Sequence, residues 1–307
     1  MDLRSSLGIG RIRGIEIRVH WSWLLILAFL TWSLATGLFR EANPHWTPVQ
    51  AWLAAVTSSL LFFASILLHE LAHSFVALRA GIPVPSITLF VFGGVSAMGA
   101  EMTSAGDEFR VAIAGPLTSW LLAAVFAGLW LVLGEQSFGI AFGYLALVNF
   151  ALGAFNLLPG FPLDGGRVFR SIVWQRTGDL TRATKAAANG GTVIAITMIV
   201  FGVVSTFAFG VDSGLWYVLV GLFLNGATRA SYEQTLVERA ISHVRVQDVT
   251  RTSPPEPVPA STTLQRLVDG YVLATGKRAY YVATAEGRVA GRITVTDIAA
   301  VPRDQWT

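Results

Sequence analysis

The chain has 307 residues and no cysteine, with 53% of its residues hydrophobic and only 13% charged. Globular chains carry roughly a quarter charged residues, so this one lacks the polar surface to dissolve, and the missing cysteine excludes disulfides, thiolate catalysis and cysteine-ligated metals. A net charge of +3 is too small to draw nucleic acid, and none is expected as a partner.

Uncharged runs mark the expected membrane spans. Residues 21–38, 49–68, 111–133, 139–163 and 186–211 contain no Asp, Glu, Lys or Arg, and 213–228 is a shorter sixth run. A seventh, residues 82–100, holds Pro83, Pro85, Gly93, Gly94 and Gly99 among Val, Ile, Thr and Phe. That is strand and turn chemistry. Irregular backbone at membrane depth is tolerated only against protein or a wet cavity, so the segment reads as a re-entrant β-hairpin lining a site. Arg4, Arg11, Arg13 and Arg18 precede the first span and predict a cytoplasmic N-terminus. Six spans then leave only Arg40 of the basic residues outside. Charge density rises after residue 230, which divides the chain into a membrane domain (1–230), a polar helical link (231–242) and a small cytoplasmic domain of mixed strand and helix (243–307).

The second apolar run ends in His69-Glu70-Leu71-Ala72-His73. On a helix the i, i+4 spacing sets both imidazoles on one face with Glu70 beside them. Two neutral imidazoles suit Zn²⁺, and catalytic zinc keeps one position open for water, from which Glu70 would take the proton as general base. Ionisable groups inside membrane spans are rare and functional by default. At 1.5 Å per residue, His69 and His73 lie about 15 and 9 Å along the axis from Arg79, placing the metal inside the bilayer towards its cytoplasmic side.

A tetrahedral catalytic zinc needs a third protein ligand. His20, His45 and His243 are badly placed for it, and a carboxylate is the better expectation. Asp164 abuts the fourth run, where Pro159 and Pro162 end the helix and Gly165 and Gly166 allow a sharp turn and close backbone approach. The competing role for Asp164 is the N-cap of the next helix. Glu101, Asp107 and Glu108 are the other acids within range, each expected on a solvated loop.

His69-Glu70-Leu71-Ala72-His73 together with Asn156, Pro159 and Leu163-Asp164-Gly165 resembles the signature pair of the site-2 protease family of intramembrane zinc metalloproteases. The resemblance covers roughly residues 7–230. It takes in a basic strand-like lead over 10–20, Phe92-Gly93-Gly94 after the zinc helix, and Ala114-Gly115-Pro116 opening the third span. It implies that His69, His73 and Asp164 ligate zinc, that Glu70 is the catalytic base, and that Asn156 positions substrate or the developing oxyanion. Ser119 departs from the pattern, since many relatives carry Asn there. The tail, with Val246-Gln247-Asp248-Val249-Thr250, Pro259, Thr263-Leu264, Tyr280 and Gly291 to Ile298, resembles a cystathionine-β-synthase-type (CBS) module. In such modules the residues matching Thr294 and Asp297 often hold an adenosine nucleotide. CBS units pair, so either a second unit lies beyond this sequence or two chains complete one pair as a homodimer.

The expected fold is therefore a polytopic α-helical membrane protein with six transmembrane helices, a re-entrant β-hairpin and a small α/β CBS-type cytoplasmic domain. The expected function is zinc-dependent hydrolysis of peptide bonds in or near the transmembrane segments of single-pass proteins at the inner (plasma) membrane. This is regulated intramembrane proteolysis, with anti-sigma factors as the typical substrates of the family. The alternative from another class is a transporter or channel gated by its tail, with the histidines as a metal-transit site. A metal-dependent enzyme acting on lipid is a third.

Overall fold

The computed structural model describes residues 6–91, 93–100, 102–134, 138–209, 211–242 and 257–306. It divides into two compact units, Met1–Glu238 and Arg239–Thr307.

The first unit opens with β1 (Ser6–Ile12) and β2 (Ile15–His20), joined through Arg13 and Gly14. Both have positive φ, the two-residue turn geometry whose twist suits a hairpin. Helix α1 (Ser22–Ala42) and helix α2 (Pro48–Arg79) follow. Thr47 starts α2 with a capping box, its hydroxyl accepting from the Gln50 amide while Gln50 Oε1 accepts from Thr47 N. Then come β3 (Ser86–Phe90), β4 (Gly93–Ala97), α3 (Ala105–Leu133), α4 (Gly139–Asn156), α5 (Asp164–Thr177), α6 (Leu180–Phe209) and α7 (Val211–Ser242).

Among the described residues, five helices are long and apolar enough to cross a membrane: α1, α2, α3, α4 and α6. The protein is a multi-pass membrane protein. The sixth uncharged run lies in α7, where Asp212 and Arg229 bracket a short apolar stretch, and this helix falls below that standard. Large apolar side chains such as Leu121, Leu131, Val193 and Phe207 face outward on these helices, as a lipid-facing surface requires. Helices α6 and α7 approach so closely that a Cβ at Gly202, Gly214 or Gly221 would collide with the opposite helix, the small-residue contact typical of membrane interiors.

Within residues 82–100, β3 and β4 are strands, and none of the described residues there is helical. The sheet order is β1-β2-β3-β4, with β2 parallel to β3 and the other pairs antiparallel. Pairing of the N-terminal strands with the later hairpin was invisible to the sequence reading, because parallel pairing is non-local. Ile15, Ile17 and Ile87 of the sheet pack with Leu71 of α2 and Val111 of α3, which seats the sheet against the helix that carries both motif histidines.

Two local expectations need correction. Ala114-Gly115-Pro116 lies well inside α3 rather than at its start, since Ser104 caps the helix through the Asp107 amide and the helix begins at Ala105. Gly165 and Gly166 make no sharp turn. They sit buried in the first turn of α5, where a Cβ at Gly165 would lie 2.3 Å from the Leu157 carbonyl.

In the second unit, β5 (Val258–Pro259) pairs parallel with β6 (Ala279–Ala283), which pairs antiparallel with β7 (Val289–Thr294). A helical stretch over 264–275 and the short helix α8 (Val295–Ala299) complete it, around Val258, Leu267, Tyr280 and Ile298. Residues 246–250, the start of the pattern that resembles a CBS-type module, lie outside the described residues.

Candidate active site

Helix α2 brings His69 and His73 to one buried face, and α5 delivers Asp164 to them. Nε2 of His69 and Nε2 of His73 each lie 3.1 Å from Asp164 Oδ2 and 3.2 Å from each other. The outward nitrogens are anchored elsewhere: His73 Nδ1 is 2.6 Å from the Val111 carbonyl, and His69 Nδ1 is 2.9 Å from Ser119 Oγ. A carbonyl only accepts, so His73 carries its proton on Nδ1 and turns the Nε2 lone pair inward. That lone pair faces a carboxylate oxygen at hydrogen-bond distance. Such acceptors are stable side by side only with a shared proton or a metal ion between them. A tetrahedral ion with bonds of about 2.0–2.1 Å would hold its donors about 3.3 Å apart, and the three observed separations match that. These three residues form a group able to hold a metal, and the donor set fits zinc.

Asp164 is the first residue of α5. The N-cap position belongs to Leu163, and no side-chain cap bond forms there. A carboxylate at this end also lies in the favourable field of the helix N-terminus. Gly115 makes the close approach of α3 possible: a Cβ there would fall 2.2 Å from His73 Nε2 and 2.6 Å from His69 Nε2.

Glu70 points into a cavity of about 560 Å³, bounded by the two histidines, Asp164, the β4 residues Gly93–Ser96, Asn156 and Arg167. Ser96 Oγ donates to Glu70 Oε2 at 2.7 Å, and Ser74 Oγ lies 3.3 Å from Ser96 Oγ. Gly94 leaves room for the Glu70 side chain, since a Cβ would stand 2.6 Å from Glu70 Cγ. The turn after β3 is tied to the start of α1: Val91 N donates to Ser22 Oγ at 3.2 Å, and His20 Nδ1 is 2.8 Å from the same hydroxyl. Thus Glu70, His69, His73, Asp164 and Asn156 all line one space.

Thr294 and Asp297 are in the other unit and are bonded to each other. Thr294 Oγ1 accepts from Asp297 N, and Asp297 Oδ2 accepts from both the amide and the hydroxyl of Thr294, a capping box for α8. These bonds hold the Asp297 carboxyl below its ordinary range.

Glu108 departs from the solvated-loop expectation. It has 0% exposure and accepts from Arg170 Nε at 2.6 Å, because α3 starts early enough to turn this residue towards α5. Asp107 occupies the first turn of α3, and Glu101 lies outside the described residues. The sequence reading also missed Ser96 and the support role of Ser119. Serines inside apolar runs are common, and nothing in their spacing marks these two.

The profile of Peptidase family M50 matches residues 57–144 and 133–200. Rip3 of Mycobacterium tuberculosis is 39% identical over 300 residues, covering 96% of this chain and 76% of its own length. Zinc metalloprotease MJ0392 of Methanocaldococcus jannaschii is 32% identical over 255 residues, covering 81% and 67%. The solved structure of the site-2 protease from Methanocaldococcus jannaschii superimposes with a TM-score of 0.51 at 32% identity, covering 73% of this chain and 94% of that one. With three side chains able to hold a metal and a further carboxylate gathered in one cavity of a multi-pass membrane protein, these similarities show that the chain belongs to Peptidase family M50, the site-2 protease family of zinc metalloproteases.

Proposed function

We propose that the chain is an intramembrane zinc endopeptidase whose ligands are His69, His73 and Asp164 and whose general base is Glu70. The observation that carries the reading is the convergence of three acceptor atoms beside a carboxylate that a second element, β4, holds in place. Zinc, when bound, supplies a Lewis acid that polarises a peptide carbonyl and acidifies water. The protein's own groups do the rest. Val111 O and Ser119 fix the imidazole orientations, outer contacts of the kind that keep ligands aimed. Glu70 takes the proton of the attacking water as the C–O bond forms, then gives it to the leaving amine as the C–N bond breaks. Ser96 keeps the Glu70 carboxylate at the cavity.

A helical substrate has its carbonyls hydrogen-bonded, so it must unwind to be cut. Strand β4 lies at the edge of its sheet, and an extended substrate would add to it as a fifth strand. Asn156, which lines the same cavity, is suited to hold a substrate carbonyl. The basic residues support six spans, with α7 as the last, a hairpin that re-enters from the cytoplasmic side, and an N-terminus and C-terminal unit in the cytoplasm of a plasma-membrane protein. Substrates on this reading are single-pass membrane proteins cut in regulated intramembrane proteolysis. The C-terminal unit is assigned as CBS-type, pairing between two chains, with Thr294 and Asp297 offered to an adenosine nucleotide. Calorimetric titration with ATP and AMP tests that last step, and no heat with either leaves the two residues as a helix cap.

Glu70→Gln tests the main reading. It should keep zinc, abolish cleavage and cause one membrane protein to accumulate uncut in cells. A metal transporter would keep its flux in that variant.

A further inference from the structure

Arg167 follows Asp164 by three positions on α5, so their side chains share a helix face, with Cβ atoms about 5–6 Å apart. Both line the catalytic cavity. Arg167 also lines a second cavity of about 690 Å³, whose wall includes Arg170 of α5 and Ser231, Gln234 and Thr235 of α7. Ser96, Met98, Pro162 and Arg167 are common to both walls. The guanidinium therefore stands where the two spaces adjoin.

Among the described residues, its protein neighbours leave its donors largely unused. Glu108 gives Oε1 to Arg170, and Arg167 Nε is 4.0 Å from that oxygen, beyond hydrogen-bond reach. Glu108 Oε2 is buried and has no hydrogen-bond partner among the described residues. The contact of Arg167 Nη2 is with Met98 Sδ at 3.6 Å, a weak acceptor. Yet the Arg167 side chain is only 22% exposed. Its guanidinium therefore offers most of its five N–H donors to the two cavities rather than to protein acceptors among the described residues.

We propose that Arg167 is a carboxylate-binding residue for the peptide lying along β4. The carboxylate is either an acidic side chain close to the scissile bond or the new C-terminus that hydrolysis leaves. The planar fork of arginine matches a carboxylate two bonds at a time. Glu70 would repel such a group, and Arg167 is the guanidinium on the wall of the catalytic cavity. Position agrees as well. Ser96 touches Glu70 and Met98 touches Arg167, two residues apart along the chain, so a substrate strand advances from one to the other in about two residues at roughly 3.3 Å each.

The inference rests on the proteolytic reading, so the test measures binding rather than turnover. The full-length, zinc-loaded Glu70→Gln chain in detergent is titrated with three fluorescent apolar hexapeptides. One has an internal Asn and an amidated end, one an internal Asp and an amidated end, and one an internal Asn and a free carboxylate. At least one acidic peptide should bind about 10-fold tighter than the neutral one, as expected for hydrogen bonds to charged groups. Preference for the Asp peptide identifies a substrate side chain, and preference for the free acid identifies the product end. Adding Arg167→Gln should abolish the preference, and Arg167→Lys should keep a reduced one. Zinc content and thermal unfolding are followed in both variants. If Arg167→Gln does not fold, a preference undiminished in Arg167→Lys overturns the proposal. Equal binding of all three peptides, or a preference that survives Arg167→Gln, also overturns it. Failure of the unmutated chain to cut any membrane peptide would instead count against the protease reading alone.

Discussion

Replacing Gly115 by alanine tests the metal site with the smallest available change. The added methyl would lie 2.2 Å from His73 Nε2, 2.6 Å from His69 Nε2 and 2.7 Å from His73 Cε1. Relaxed contacts begin at about 3.5 Å, so the nearest ring atom must recede by about 1.3 Å, whereas metal sites tolerate shifts of about 0.2 Å. The rings cannot swing away freely, since Nδ1 of each is held, one by the Val111 carbonyl and one by Ser119. Loss of an outer support alone costs about 10–100-fold in metal affinity. Displacing two ligands should reach at least the upper end, about 100-fold or ~2.8 kcal/mol. Elemental analysis of the purified variant and competition against a chromophoric chelator would read this loss, with thermal unfolding as the check on folding. A Gly115→Ala protein that holds one zinc per chain with affinity within about threefold of the parent refutes the geometry.

Zinc should be lost in His69→Ala and His73→Ala, and Asp164→Asn should weaken it strongly because the cap position belongs to Leu163 and an amide gains nothing there; full occupancy in Asp164→Asn would return the residue to a structural role. Ser96→Ala should lower kcat by about 10–100-fold, the worth of a hydrogen bond to a charged group, with zinc content unchanged and partial recovery in Ser96→Thr; an unaltered kcat would dismiss Ser96 as a positioning group. Glu108→Ala should cost about 3–5 kcal/mol by leaving Arg170 buried and unpaired, while the double change Glu108→Leu with Arg170→Met should cost much less, as read by unfolding in detergent. Cysteines introduced at Ser86 and Thr103 should both label from the cytoplasmic side. Labelling of Thr103→Cys from the outside alone would make residues 82–100 cross the membrane.

What the sequence revealed follows the range of each interaction. The histidine pair and Glu70 are one helical turn, so their geometry is local and legible at once. Asp164 lies 95 positions from His69 and was readable only because its prolines and glycines break an apolar run. The strand character of residues 82–100 was legible from Pro and Gly, but the partner of β3 was not, since nothing in Glu16–Val19 names Ser86–Leu89 as its neighbour. Glu108 was misjudged because a carboxylate near a span looks solvated until the arginine that meets it, on another helix, is known. Ser96 and Ser119 carry no local signal at all, as their roles exist only once three elements converge.

Strand β2 precedes two long apolar helices, yet it pairs in parallel with β3, which follows them. The order of synthesis then matters. When β2 emerges, its eventual neighbour has not been made, and it cannot be joined until both helices are threaded and β3 has folded back beneath them. Such distant pairings form slowly, because the loop between them must close first. β4 joins β3 as a local antiparallel hairpin, so the late step is the docking of that hairpin onto β2. A chain caught midway through insertion would carry both histidines and Glu70 but not the finished sheet. Such a chain would also lack Asp164 until the later helices are made, so it would hold the motif helix without a complete metal group.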